Sequence, residues 1–260
     1  MRALLSSICV VVCVLSAVPP AGATHAALRC TAPDEVTRFQ VTLPHTARAI
    51  RRGAALVIVA IGSSSTQGVG ASDQAHTYPA VLAEELQRHW PRLAVTVVNK
   101  GIGGETAEQM LERFPRDVLP YHPQLVIWQT GSNHALMGKD VHSYQHTVRA
   151  GIARLKAVHM DVILMDPQYA PRVLGRPLHK AIVDTIRETG HDLKVAVFQR
   201  FAVMRHWVTH GQYRIEDLIT RDQLHMNDVS YQCIARLLAD SLASAALATP
   251  PPLLHGRGDP

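Results

Sequence analysis

The sequence predicts an α/β sandwich, a parallel sheet with helices on both faces. Three observations point to it. Five short apolar runs recur at residues 56–61, 95–98, 125–128, 162–165 and 195–198. None alternates with polar residues, which is the pattern of strands buried on both sides. The segments between them carry apolar residues at helical spacing, and strand–helix alternation of this kind builds a three-layer domain. The first three runs each end in a glycine-rich polar stretch, "GSSSTQG", "NKGIGGET" and "QTGSNHA". Loops beyond the carboxyl ends of parallel strands are where such sheets bind ligands.

Taken in chain order, residues 1–23 read as a cleavable export signal. Arg2 precedes an apolar stretch over residues 3–18, too short to span a bilayer comfortably, and Ala21-Gly22-Ala23 follows Pro19-Pro20 as a cleavage site. An uncleaved anchor is the alternative. Cleavage removes Cys9 and Cys13 and leaves Cys30 and Cys233. An oxidising compartment permits those two to pair; two buried free thiols are the alternative. Residues 24–54 read as an irregular lead-in and residues 55–248 as the one domain. Thr77 is placed to cap a helix with Pro79 in its first turn and Val81, Leu82 and Leu86 on its apolar face. Val141, Tyr144, Val148, Ile152, Leu155 and Val158 mark a second helix, and Tyr231, Ile234, Leu238 and Leu242 a third. Residues 249–260, "TPPPLLHGRGDP", read as a disordered tail. Chance explains its Arg257-Gly258-Asp259 better than adhesion does.

Composition narrows the function. The chain is 47% hydrophobic and 18% charged, with formal net charge +5. Its basic residues are scattered, with no run longer than Arg51-Arg52, so the nucleic-acid footprint is missing. No Gly-Lys-Ser/Thr follows either glycine-rich loop, which removes the NTPase reading, and the glycines of residues 101–104 do not fit G-x-G-x-x-G. His142 and His146 lie four apart but lack H-E-x-x-H, and read as solvent-facing.

What remains is nucleophilic chemistry. "RDQLHMND", residues 221–228, places Asp222 and His225 three apart before the last helix. A serine nucleophile needs an imidazole to take its proton, the imidazole needs a carboxylate to fix its tautomer, and the attacked carbonyl needs donors for its oxyanion. With Gly62-Ser63-Ser64-Ser65-Thr66-Gln67-Gly68, Asn99-Lys100-Gly101-Ile102-Gly103-Gly104-Glu105-Thr106, Gly131-Ser132-Asn133-His134 and Asp222-Gln223-Leu224-His225 in that order, the chain resembles the SGNH/GDSL hydrolase superfamily over about residues 55–245.

The resemblance implies a flavodoxin-like fold, a five-stranded parallel sheet between helices. It implies Ser64 as nucleophile, His225 as general base and acid, and Asp222 as its carboxylate. The N–H groups of Ser64 and Gly104 and the amide of Asn133 match the oxyanion donors. It also implies a serine esterase working through an acyl-Ser64 intermediate, without metal or organic cofactor, on a small-molecule, glycan or lipid ester, and the export signal makes the expected location the periplasm or the exterior. An O-acyltransferase acting on a polysaccharide and a non-catalytic carbohydrate-binding protein on a degenerate hydrolase fold are the alternatives. No stable membrane span is expected after cleavage. Ser63 and His134 depart from the family pattern, each standing where an Asp is usual. His134 is either a structural loop histidine or a substrate contact. Ser63 and Ser65 are rival hydroxyls to Ser64. Gln168 and Tyr169, in the loop after the fourth run, are candidate substrate contacts, with an ordinary structural loop as the alternative.

Overall fold

The computed structural model describes residues 28–248. The signal segment expected over residues 1–23 and the tail expected over residues 249–260 lie outside the described residues. In chain order the main elements are α1 (Pro44–Arg51), β1 (Leu56–Gly62), α2 (Tyr78–His89), β2 (Val95–Gly101), β3 (Leu125–Gln129), α3 (Val141–Ala157), β4 (Asp161–Met165), α4 (His179–Leu193), β5 (Ala196–Phe198), α5 (Arg200–Thr209) and α6 (Asp228–Leu247). All five expected strands form one wholly parallel sheet in the order β2-β1-β3-β4-β5. Beyond their apolar runs, β1 extends through Gly62 and β2 through Gly101, and the two ends pair level with each other. β2, one of the two edge strands, is partly exposed along its length.

Side chains alternate between two cores. Ile58, Ala60, Ile127, Ile163 and Phe198 face α2, α5 and α6, while Val59, Ile61, Val126, Trp128 and Leu164 face α3, α4 and the helical turn Ala107–Glu112. This is the two-sided burial that continuous apolar runs require. The Trp128 ring lies over Gly151 of α3, where a Cβ would come within 2.3 Å of it, and packs edge-on to Phe114. Among the described residues no helix is long and apolar enough to cross a membrane.

The lead-in is not irregular. Residues Asp34–Thr37 form a helical turn and α1 follows. Phe39, Leu43 and Ala49 join the core beside α2 and α6. Hydrogen bonds pin the segment at intervals: Trp207 Nε1 donates to Thr31 O at 2.8 Å, and the Thr46 N–H and hydroxyl both donate to Asp161 Oδ2 at 2.8 Å. Apolar residues delivered singly to a core leave no periodic signature, which is why the sequence pattern misses them. At Thr77 the helix does begin, but the hydroxyl donates to Gln74 O at 2.9 Å and makes no cap.

Cys30, in the lead-in, is joined to Cys233 of α6 by a disulfide with a Cα–Cα distance of 4.9 Å and a sequence separation of 203. Both sulfurs sit in the core. A bridge closing so long a loop removes much conformational freedom from the unfolded chain. Peptide mapping without reductant should therefore recover the linked pair, and reduction or Cys233→Ala should lower the unfolding free energy in urea by about 2–5 kcal/mol. Unfolding curves that coincide with and without reductant would show that the link contributes nothing.

Candidate active site

Ser64 leaves the carboxyl end of β1 on a single helical turn, Ser64–Gln67, that lies directly on the end of β2. The approach is main chain on main chain: a Cβ at Gly101 would sit 1.9 Å from the Gln67 nitrogen. Sheet order reverses between β1 and β3, so the crevice beyond these two strands is the topological switch point, and it receives Ser64 from one side and Asn133 from the other. Of the three neighbouring serines, only Ser64 is partly open. Ser63 and Ser65 are buried. The Ser63 N–H and hydroxyl both donate to Gln129 Oε1, at 2.9 and 3.1 Å. The hydroxyl bond is the one that serine at position 63 adds.

His225 arrives on a short ribbon closed by an antiparallel bridge between Ile219 and Met226. Within its turn Gln223 holds a φ of 61°, left-handed backbone that a glutamine adopts at a cost. The turn is held by Gln223 N–H donating to Thr220 O and by Arg172 N–H donating to Gln223 O, both at 3.0 Å. The neighbouring loop must pass close by at Gly70, φ 96°, where a Cβ would lie 2.3 Å from Met226 O. The result brings three groups together. Ser64 Oγ is 2.9 Å from His225 Nε2, and Asp222 Oδ2 is hydrogen-bonded to His225 Nδ1.

The charges suit that order. Burial opposes ionisation of Asp222, but the His225 N–H, the Thr220 hydroxyl, the His225 ring and the Leu224 N–H together hold its pKa well below the usual carboxylate range. An ionised carboxylate only accepts, so Nδ1 carries the proton and Nε2 is left to accept from the Ser64 hydroxyl.

On the opposite side, the loop after β2 runs past Ser64. A Cβ on Gly103 would lie 3.9 Å from that of Ser64, and the Gly103 N–H donates to Gln67 Oε1 at 2.9 Å. Gly104 is exposed with φ 80°. Among the described residues, neither the Ser64 nor the Gly104 N–H donates to a protein acceptor. Asn133 Nδ2 donates to Glu105 O at 2.8 Å, which anchors the amide and leaves its second N–H to donate elsewhere.

Two arginines that the sequence pattern treats as scattered charge brace these loops. Arg113, 5% exposed, donates from Nη2 to Lys100 O at 2.7 Å and Gly62 O at 3.2 Å, and from Nε to Glu105 Oε2 at 2.7 Å. It thus ties the ends of β1 and β2 to the residue that anchors Asn133. Arg200, fully buried, donates to Asp166 O at 2.9 Å and to Gln168 Oε1 at 3.1 Å. Arg113 had no sequence signal, and Arg200 none beyond its place just after β5.

The candidate substrate contacts divide. His134 is 1% exposed and lies on the helical turn Ser132–Met137, paired through Nε2 with Glu108 Oε2 at 3.0 Å and packed 4.4 Å from the Tyr144 ring. It is not open to a ligand, so its substrate role is withdrawn. Gln168, 1% exposed, has its amide engaged on both atoms inside the protein and cannot serve as a substrate contact either. Tyr169 is partly exposed and packs edge-on to Phe201. His142 and His146 are exposed on α3.

A family model described as the non-GDSL lipase-like family matches residues 29–248. The chain is 29% identical over 131 residues to thioesterase 1/protease 1/lysophospholipase L1 of Escherichia coli K12, half of this chain and 60% of that one. It is 29% identical over 119 residues to the acetylxylan esterase of Geobacillus stearothermophilus, 42% of this chain and 54% of that one. The aligned part thus spans less than two thirds of either relative. Among solved structures, a two-domain esterase active on acetylated mannans superposes with a TM-score of 0.69 at 20% identity, over 83% of this chain and 56% of that one.

The Glu108–His134 pair gives a titration test. Burial works against the Glu108 charge, but the Thr106 side chain, its own N–H and His134 outweigh it and pull its pKa down to about 2. Burial pulls His134 below its ordinary value of 6.5, against the opposing pull of Glu108. Both groups release protons more readily in the fold than in the unfolded chain, so each stabilises at higher pH. The His134 contribution is complete above pH 6.5 and fades below it. The Glu108 contribution is complete above its ordinary 4.5 and is lost as pH falls towards 2. Urea midpoints should therefore fall on acidification through both windows, and Glu108→Gln should flatten the lower one. An unchanged acid slope in Glu108→Gln would refute the assignment.

Proposed function

The chain belongs to the non-GDSL lipase-like family, within the SGNH/GDSL hydrolase superfamily, and from that premise we propose that it is a serine esterase using Ser64, His225 and Asp222. The observation that carries this reading is the unbroken line of contact from Ser64 Oγ through the His225 ring to the Asp222 carboxylate. Ser64 Oγ attacks the ester carbonyl carbon while its proton passes to His225 Nε2. The oxyanion that forms is met by the N–H groups of Ser64 and Gly104 and the free N–H of Asn133, fixed donors that need no reorganisation as charge develops. Collapse breaks the ester C–O bond, and the leaving alkoxide takes the proton from Nε2. Water then attacks acyl-Ser64, again losing its proton to Nε2, and the acid departs as Ser64 is restored.

The relatives' names support the bond type, since they are called thioesterase, lysophospholipase, acetylxylan esterase and arylesterase. The segment read as an export signal, together with the disulfide, supports a secreted or periplasmic location.

Two measurements test the reading. A fluorophosphonate probe should label Ser64 and leave the buried Ser63 and Ser65 untouched; label retained in Ser64→Ala would refute the nucleophile. Asn133→Ala should lower kcat on p-nitrophenyl acetate by about 10²–10³-fold. KM should change only slightly, because the oxyanion exists only on the way to the transition state. A large rise in KM at unchanged kcat would instead make Asn133 a ground-state binder.

A further inference from the structure

Three separate turns supply the groups of the candidate site, and one buried amide touches all three. Gln168 lies three residues beyond β4. Its Oε1 accepts from Ser132 Oγ at 2.9 Å, from Arg200 Nη2 at 3.1 Å and, more weakly, from Ser65 Oγ at 3.4 Å. Its Nε2 donates to Leu224 O at 3.0 Å. Each of these partners, Arg200 apart, is the chain neighbour of a site residue: Ser65 follows Ser64, Ser132 precedes Asn133 and Leu224 precedes His225.

The orientation of the amide is dictated by its surroundings. Two hydroxyls and a guanidinium present donors to one end, and a backbone carbonyl presents an acceptor to the other. Arg200 makes this directional. Its Nε is held by Asp166 O, and the carboxylate of Asp166 accepts the Phe201 N–H at 2.8 Å, so the guanidinium is fixed at the head of α5. A permanent cation against Oε1 keeps the carbonyl end of Gln168 towards Ser65 and Ser132 and the NH₂ end towards the His225 turn.

We propose that Gln168, oriented by Arg200, is a positioning residue that sets the mutual placement of Ser64, Asn133 and His225. It reaches each through the adjacent residue and touches no reacting atom. The inference rests on the esterase reading of the same site. An amide serves where an aliphatic side chain of similar size would not, because its bonds fix relative distance between three loops that share no other single side chain. Displacement of reacting groups by about 1 Å costs about 100-fold in rate. The effect therefore falls on kcat.

Gln168→Leu would leave the Arg200 guanidinium buried against hydrocarbon and risks the fold itself. Gln168→Glu is the informative variant. It keeps acceptors for Ser132 and Arg200 but sets a carboxylate oxygen against Leu224 O, releasing the His225 turn. With p-nitrophenyl acetate it should lose about 10- to 100-fold in kcat while KM stays nearly constant. The control is Ile152→Ala, a cavity in the core between α3 and the sheet. It should lower the melting temperature and hold kcat to within about twofold. Ser132→Ala, which frees the Asn133 turn from the same amide, should also lower kcat in the parent while KM stays nearly constant. The proposal is overturned by a Gln168→Glu enzyme with parental kcat, by a kcat loss matched in Ile152→Ala, or by a Ser132→Ala enzyme with parental kcat. Failure of the esterase reading is distinct: the parent would neither turn over the ester nor accept the probe at Ser64, and both ideas would fall together.

Discussion

The site depends on one steric constraint, the contact between the helical turn at Ser64 and the bare backbone of Gly101. Two main chains approach to a distance that any side chain would prevent. Once they do, Ser64 is placed by the sheet rather than by its own loop, since β1 and β2 end level at Gly62 and Gly101. At the ends of these two strands Arg113 donates to two backbone carbonyls, Lys100 O and Gly62 O, the second of which also accepts the Ile102 N–H. Its remaining donors reach Glu105 and Asp117. A single guanidinium thus couples strand ends to the loop that carries Gly104.

The interior behind the site holds buried ionisable groups, Asp166 and Arg200 among them. Asp166 is pushed up to about 7 by burial, against the Phe201 N–H and Arg200, and burial lowers the Arg200 pKa in turn. Replacing such groups by hydrocarbon often stabilises a protein. The arrangement places these groups where three loops must be held at fixed distances, a task that hydrogen-bond geometry performs and apolar packing does not. The His134–Glu108 pair repeats the pattern one layer away, joining the Asn133 turn to the helical turn that follows Gly104.

The sequence carried the sheet and the blocks of the site well, because both are local signals. Five apolar runs became five strands, the first four lengthened where glycine or polar residues continued the ladder and the fifth one residue shorter than its run. The grouping of Ser64, His225 and Asp222 was legible because spacing within each block and order along the chain survive in one dimension. Bracing residues were illegible for the opposite reason. A glutamine two places after an aspartate beyond a strand reads the same whether it meets a ligand or three neighbouring loops, and only the fold decided for Gln168. The lead-in was misread because Phe39 and Leu43 enter the core one at a time, through a segment whose neighbours are polar.

The Cys30–Cys233 bond has a topological meaning beyond its effect on folding. It turns nearly all of the described chain into one covalent ring. A ring must be cut twice before it separates into two molecules. A protease that clips a surface loop, such as the exposed turn around Gln74–His76, would leave a single nicked molecule. Its two segments would remain tethered at the core, with Ser64 before the cut and His225 after it. In a setting rich in proteases, damage of that kind need not become fragmentation.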